Sequence, residues 1–196
     1  MPNWCDNHLN IEGSPQEIKR FLDRAMGLPA QFVPEFEWEK RFSHTESRFC
    51  FNALIPVPRE VLEAGYNGLN KCSREIPLME RKTSGYSWCI DQWGTKWDVW
   101  SSGITIENCG WREGDSWVSF DFDTAWSPPL PWLEKVAPMF PELTFELHYE
   151  EPGCYFAGDV YACGDEFQVD EYDDDRLRDL FLWDEEDEDE EDEEVE

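Results

Sequence analysis

The stretch WVSFDFDTAWSPPLPWLEKVAPMFPELTFELHY, residues 117–149, decides the fold. Val118, Phe120 and Phe122 alternate with Ser119, Asp121 and Asp123, the two-residue period of a half-buried strand. Ser127 followed by Pro128-Pro129 marks a helix start, with Leu130, Leu133, Val136, Ala137 and Phe140 as its apolar side. Pro138 and Pro141 end that helix, because proline has no amide hydrogen to continue the ladder. Leu143, Phe145, Leu147 and Tyr149 then alternate with Thr144, Glu146 and His148, a second strand. A strand, helix and strand in this order form a right-handed crossover.

Working outward, Asn3–Glu12 reads as a strand with Asn7, Leu9 and Ile11 on one side. Gly13 ends it. Ser14-Pro15-Gln16-Glu17 supplies an N-cap, a proline at the first helical position and a capping-box Glu. Ile18, Phe21, Leu22, Ala25 and Met26 follow at helical spacing, and Gly27 closes the helix. Arg48–Ile55 reads as a strand stopped by Pro56 and Pro58, and a short helix is expected near Arg59–Ala64. Residues 66–103 read as irregular. Ile104–Asn108 and Trp117–Asp123 read as a hairpin around Gly110–Asp115. Glu151-Pro152-Gly153 is a turn, and Cys154–Cys163 a final strand. The expected architecture is α+β: a ferredoxin-like split βαβ sandwich, with an antiparallel sheet and two helices on one face. Its domain spans residues 1–165, with an insertion over about 56–103. An acidic amphipathic segment (166–183) and a disordered acidic tail (184–196) follow it.

The 196 residues include 45 acids and 16 Lys or Arg, a formal charge of −29. The excess is concentrated. Residues 1–112 carry 15 acids and 13 bases, a net of −2; residues 113–196 carry 30 acids and 3 bases, a net of −27. Such a balance argues against a phosphate-binding groove, which needs Lys and Arg. Base stacking on the aromatics of an RNA-binding sheet suffers from the same charge and lacks the RNA-recognition signature. The 11 Trp, 13 Phe and 6 Tyr argue for a packed core rather than a disordered chain.

Seven Cys occur without a CxxC pair, and no secretory apolar stretch precedes Trp4. Reduced thiols in a soluble, cytoplasmic protein are expected. No apolar run reaches transmembrane length.

Three motifs occur in order: Met1-Pro2-Asn3-Trp4-Cys5-Asp6-Asn7, Trp93-Gly94-Thr95-Lys96-Trp97-Asp98 and Thr124-Ala125-Trp126-Ser127-Pro128-Pro129. With Phe140-Pro141-Glu142-Leu143 they resemble the YubB-like ferredoxin-like family of plasmids, phages and bacterial genomes. The resemblance covers roughly residues 1–165. It implies a ferredoxin-like domain and a mobile-element origin, and it implies no activity.

The candidate ligand-binding residues are Trp93, Thr95, Lys96, Trp97, Asp98 and Trp126. Lys96 and Asp98 stand two apart, on one side of an extended segment, and Trp93 and Trp97 could wall a flat ligand. The competing reading is a Trp-rich loop packed over the sheet with Lys96 and Asp98 paired at its surface. Asp121 and Asp123 share a strand side, and Glu146 and His148 could join them if their strands are neighbours. Carboxylates so placed can hold a cation or share acid and base roles. They also suit the solvated side of an antiparallel sheet. No GxSxG, Walker A or GxGxxG motif occurs. No catalytic residue, metal or cofactor is expected.

Leu177, Leu180 and Phe181 recur at helical spacing within the acidic run. Leu180, Phe181, Trp183, Asp184 and Glu185 are the candidate partner-binding residues. The function expected is a non-enzymatic binding module that engages a basic or nucleic-acid-binding protein, as a nucleic-acid mimic or anti-defence inhibitor. No direct contact with nucleic acid or membrane is expected. The alternatives are a small-ligand or metal-binding domain, enzymatic or not, with its site at the WGTKWD loop, and a structural domain that its tail merely solubilises.

Overall fold

A computed structural model of the chain describes residues 3–34, 46–67, 84–99 and 103–181. Strand β1 (Trp4–Glu12) leads into helix α1 (Pro15–Ala25). The Ser14 side chain caps α1 by accepting from the Glu17 amide, and Ile18, Phe21, Leu22 and Ala25 are buried beneath it. Met26–Gly27 (β2) and Arg48–Phe49 (β3) form a two-stranded ribbon. Helices α2 (Phe51–Leu54), α3 (Arg59–Ala64) and α4 (Gly85–Trp93) follow. The crossover that sequence periodicity singles out is then built as β4 (Trp117–Ala125), α5 (Leu130–Val136) and β5 (Thr144–Glu151). Strands β6 (Phe156–Cys163) and β7 (Glu166–Glu171) complete the sheet, and residues 174–181 form helix α6.

The main sheet has the order β4-β1-β5-β6-β7, and every neighbouring pair is antiparallel. β4 and β5 therefore run parallel with β1 between them, which is the split βαβ unit of a ferredoxin-like fold. Helices α1 and α5 bring Phe21, Leu22, Trp132 and Leu133 to the core. Phe49 stacks on Phe120 at 4.6 Å, Phe21 meets Phe140 edge-on at 5.2 Å, and Phe51 lies 4.9 Å from Trp132. Burial alternates along β1, β4 and β5, so one sheet side is sealed and the other open. Asn7, Thr124 and Glu151 are polar residues on the sealed side; the Asn7 amide donates to the Phe122 carbonyl and ties β1 to β4.

Four local expectations are corrected. Arg48–Ile55 is a strand only over Arg48–Phe49, then turns helical at Phe51. The cause is distant in sequence: the Asp98 carboxylate accepts from the Phe51 and Asn52 amides and supplies the cap that Cys50 lacks. Residues 104–108 do not pair with β4. Asn108 instead closes them into a turn, accepting from the Thr105 amide and donating to the Gly103 carbonyl. Ser127 does not cap α5. Two prolines separate it from Leu130, and its hydroxyl donates to the Gly94 carbonyl at 2.6 Å. The sheet also runs beyond residue 165, since the acidic segment supplies β7 and then α6.

Candidate functional site

The open side of the sheet gathers carboxylates because strand alternation sends every second residue there. Register sets them in rows. One row runs Asp123, Asp6, Glu150 across β4, β1 and β5. The next runs Asp121, His8, His148, Asp159, Asp170 across all five strands. Glu146 and Tyr161 follow one step along. No Lys or Arg stands on this side of any of the five strands.

Hydrogen bonds order the second row. His8 Nδ1 lies 2.5 Å from Asp121, and His148 Nδ1 lies 2.8 Å from Asp159. The Tyr172 hydroxyl donates to the other Asp159 oxygen at 2.7 Å. Arg176, from α6, bonds Asp170 at 2.7 Å and stacks its guanidinium 3.6 Å over the Tyr172 ring. Partial burial opposes the Asp159 charge, but the His148 and Tyr172 bonds outweigh it and hold this carboxyl below its usual range. Asp6 behaves in the opposite way. Partial burial, then the hydrogen bond and charge of Asp123, push it up to about 6. The negative Asp123 beside it thus favours the protonated form of Asp6.

Two concavities open on this side. One is lined by Asp6, His8, Asp121, Asp123, His148 and Glu150, the other by His8, Glu146, His148, Asp159, Tyr161 and Asp170 among others. Among the described residues no group of three or more His, Cys, Asp or Glu is arranged to hold a metal ion.

The WGTKWD loop distributes its candidates differently from the expected pocket. Trp93 is fully buried and donates its indole N–H to the Ile55 carbonyl at 3.0 Å. Thr95 is also buried and donates to the Ala125 carbonyl. Asp98 turns toward backbone and accepts from the amides of Ala30, Phe51, Asn52 and Val99. Its enclosure pushes it up to about 6 in spite of those four donors. Lys96 turns elsewhere, its ammonium lying 4.5 Å from the ring centroids of both Trp97 and Trp126. Lys96 and Asp98 are therefore engaged with separate partners, and Trp93 belongs to the core. Lys96, Trp97 and Trp126 are the members brought together. Gly94 makes this divergence possible: it ends α4 at φ 83°, and a side chain there would meet Pro131.

Residues 106–196 match the family model described as the ferredoxin-like domain in Api92-like protein. This stretch of the chain is thus similar to the Api92-like ferredoxin-like domain. The crystal structure of a protein Api92 from Yersinia pseudotuberculosis is similar in fold, with a TM-score of 0.52 at 13% identity. The alignment covers 88% of this chain and 99% of that one. No curated protein matches the chain. Among the described residues no helix is long and apolar enough to cross a membrane.

The match with the Api92-like model includes all of β4, β5, β6 and β7, so the carboxylate rows lie largely within the matched stretch. Asp121, Asp123, Glu146 and His148 are visible in the sequence as strand-alternating polar residues. Asp6 and His8 alternate in the same way along the first strand, but only the strand order brings them, with Asp159, Tyr172 and Arg176, alongside. The candidates at the end of the chain divide. Leu180 and Phe181 are half-buried, with the Phe181 ring 5.4 Å from Tyr155. Leu177 is the buried residue of α6. Trp183, Asp184 and Glu185 lie outside the described residues.

Proposed function

We propose that the chain is a binding module that engages a basic protein surface through the open side of its sheet. The observation that carries this reading is the register of Asp6, Asp123 and Glu150 beside Asp121, Asp159 and Asp170, with no strand-borne cation among them. Carboxylates two residues apart on a strand are about 7 Å apart. Rows of them present a negative field to a partner, steering its approach and opposing acidic competitors. A surface that accepts them is one that otherwise holds nucleic-acid phosphates, so the module competes with DNA or RNA for it. The acidic run 184–196 adds to the negative charge of the chain. Cytoplasmic action, and the plasmid or phage setting implied by the YubB-like resemblance, are part of this proposal.

The test is capture from host lysate by three forms of the full chain: unaltered, Asp6→Asn/Asp123→Asn/Glu150→Gln, and truncated after residue 183. The expected result is a basic protein that the unaltered chain holds, that salt releases, and that the triple variant fails to hold. Equal capture by the triple variant would refute the sheet as the binding side.

A further inference from the structure

Beyond the carboxylate rows lies a second feature, at the end of the sheet where β1 begins. The Lys96 ammonium sits between two indoles, 4.5 Å from the centroid of each, and Trp4 lies 6.1 Å from Trp97 at an interplanar angle of 45°. Trp4 is 38% exposed and Trp126 44%. Burial therefore does not account for where these rings stand. Trp126 also adopts φ 74°, a left-handed conformation that bulky residues avoid unless surrounding structure imposes it. Here the Trp126 amide donates to the Asn3 carbonyl, and Ser127 is tied to Gly94. On the other side the Tyr66 hydroxyl donates to the Lys96 carbonyl and Thr95 holds Ala125. Backbone ties thus fix both walls of the slot.

The occupant is held differently. In a chain of net charge −29, the Lys96 ammonium makes no ion pair with any carboxylate of the described residues; indole faces hold it instead. Ring faces attract any cation of suitable size, and a guanidinium stacks on them better than an ammonium. The slot also borders the acidic rows. Trp4 shares its side of β1 with Asp6, about 7 Å further on, and Asp6 is in register with Asp123. A basic partner laid on the carboxylates can therefore bring a side chain to the rings.

We infer that Trp97 and Trp126 form a cation slot for an arginine or lysine side chain of the partner, with Lys96 as the resident occupant that the incoming group displaces. The slot rests on the basic-partner reading only for the source of the cation, and it is testable without that partner.

The full chain labelled with 5-fluorotryptophan is titrated with Nα-acetyl-arginine amide and, as a neutral isostere, Nα-acetyl-citrulline amide. The fluorine resonance of Trp126 is followed. Lys96→Ala vacates the slot, so the arginine amide should bind this variant at least about threefold tighter than the unaltered chain. The citrulline amide should leave the resonance unmoved. Trp126→Ala in the Lys96→Ala background is followed through Trp97 and should lose the response. Equal shifts from both amides would overturn the slot, as would undiminished arginine binding without the Trp126 ring. The Asp6/Asp123/Glu150 variant separates the two proposals. Undiminished capture by this variant, with an intact Trp126 response, would count against the acidic side alone. Loss of capture by this variant, with a Trp126 resonance that the arginine amide fails to move even in the Lys96→Ala chain, would discard the slot and leave the acidic side standing.

Discussion

Asp98 does more for the fold than its place in a surface motif suggests. Four backbone amides converge on its carboxylate, from the loop after α1, the start of α2 and its own neighbour. Asp98→Asn keeps the shape but turns an amide group toward amide donors, leaving buried N–H groups unpaired. A loss of about 2–4 kcal/mol is expected in equilibrium urea unfolding. Asp6 acts in the other direction. Its ordinary value is 3.8 and the folded chain holds it near 6. Below 3.8 both states are protonated and nothing is lost. Between 3.8 and 6 the unfolded chain releases a proton that Asp6 of the folded chain retains, so the contribution of Asp6 falls as pH rises and is fully lost above 6. Asp6→Asn should therefore match the unaltered chain in stability near pH 3.5 and exceed it increasingly from pH 4 to 6. A constant difference across that range would contradict the raised value of Asp6.

At the scale of elements, periodicity made the crossover legible. Alternation placed β4 and β5, the Ser14-Pro15 signature placed α1, and the 3.6-residue spacing placed α5. Elements that depend on long-range partners were not legible. Arg48–Ile55 alternates like a strand, yet Asp98, more than 40 positions away, caps its second half into a helix. β7 was hidden by composition: Glu166–Glu171 reads as a solvated charge run, and only pairing with β6 makes it a strand. The carboxylate rows were half legible for the same reason, since alternation shows which residues share a side but not which strands are adjacent. Helix α6 buries Leu177, which is 5% exposed, and is tied to β7 and β6 by the Arg176 ion pairs with Asp170 and Asp159. Leu177→Ala should cost about 2 kcal/mol or more. In hydrogen exchange it should release the β7 amides before those of β1, which is paired on both edges. Simultaneous release would mean that β7 unfolds only with the whole sheet.

For the whole molecule, charge separation governs both stability and partnership. The net of −27 over residues 113–196 bears on a sheet whose open side adds acids from β1. Self-repulsion of this kind is relieved by counterions, so raising salt from 20 to about 200 mM should increase the unfolding midpoint. Binding to a basic surface should weaken over the same interval, and this opposition of signs distinguishes an electrostatic interface from an apolar one. The most direct measurement is the affinity of the captured basic partner for the unaltered chain and for the Asp6→Asn/Asp123→Asn/Glu150→Gln variant, each across that salt series. The predicted result is a steep salt dependence for the unaltered chain and a weaker affinity with a shallower slope for the variant. Equal affinities and equal slopes would contradict the assignment of binding to the open side of the sheet.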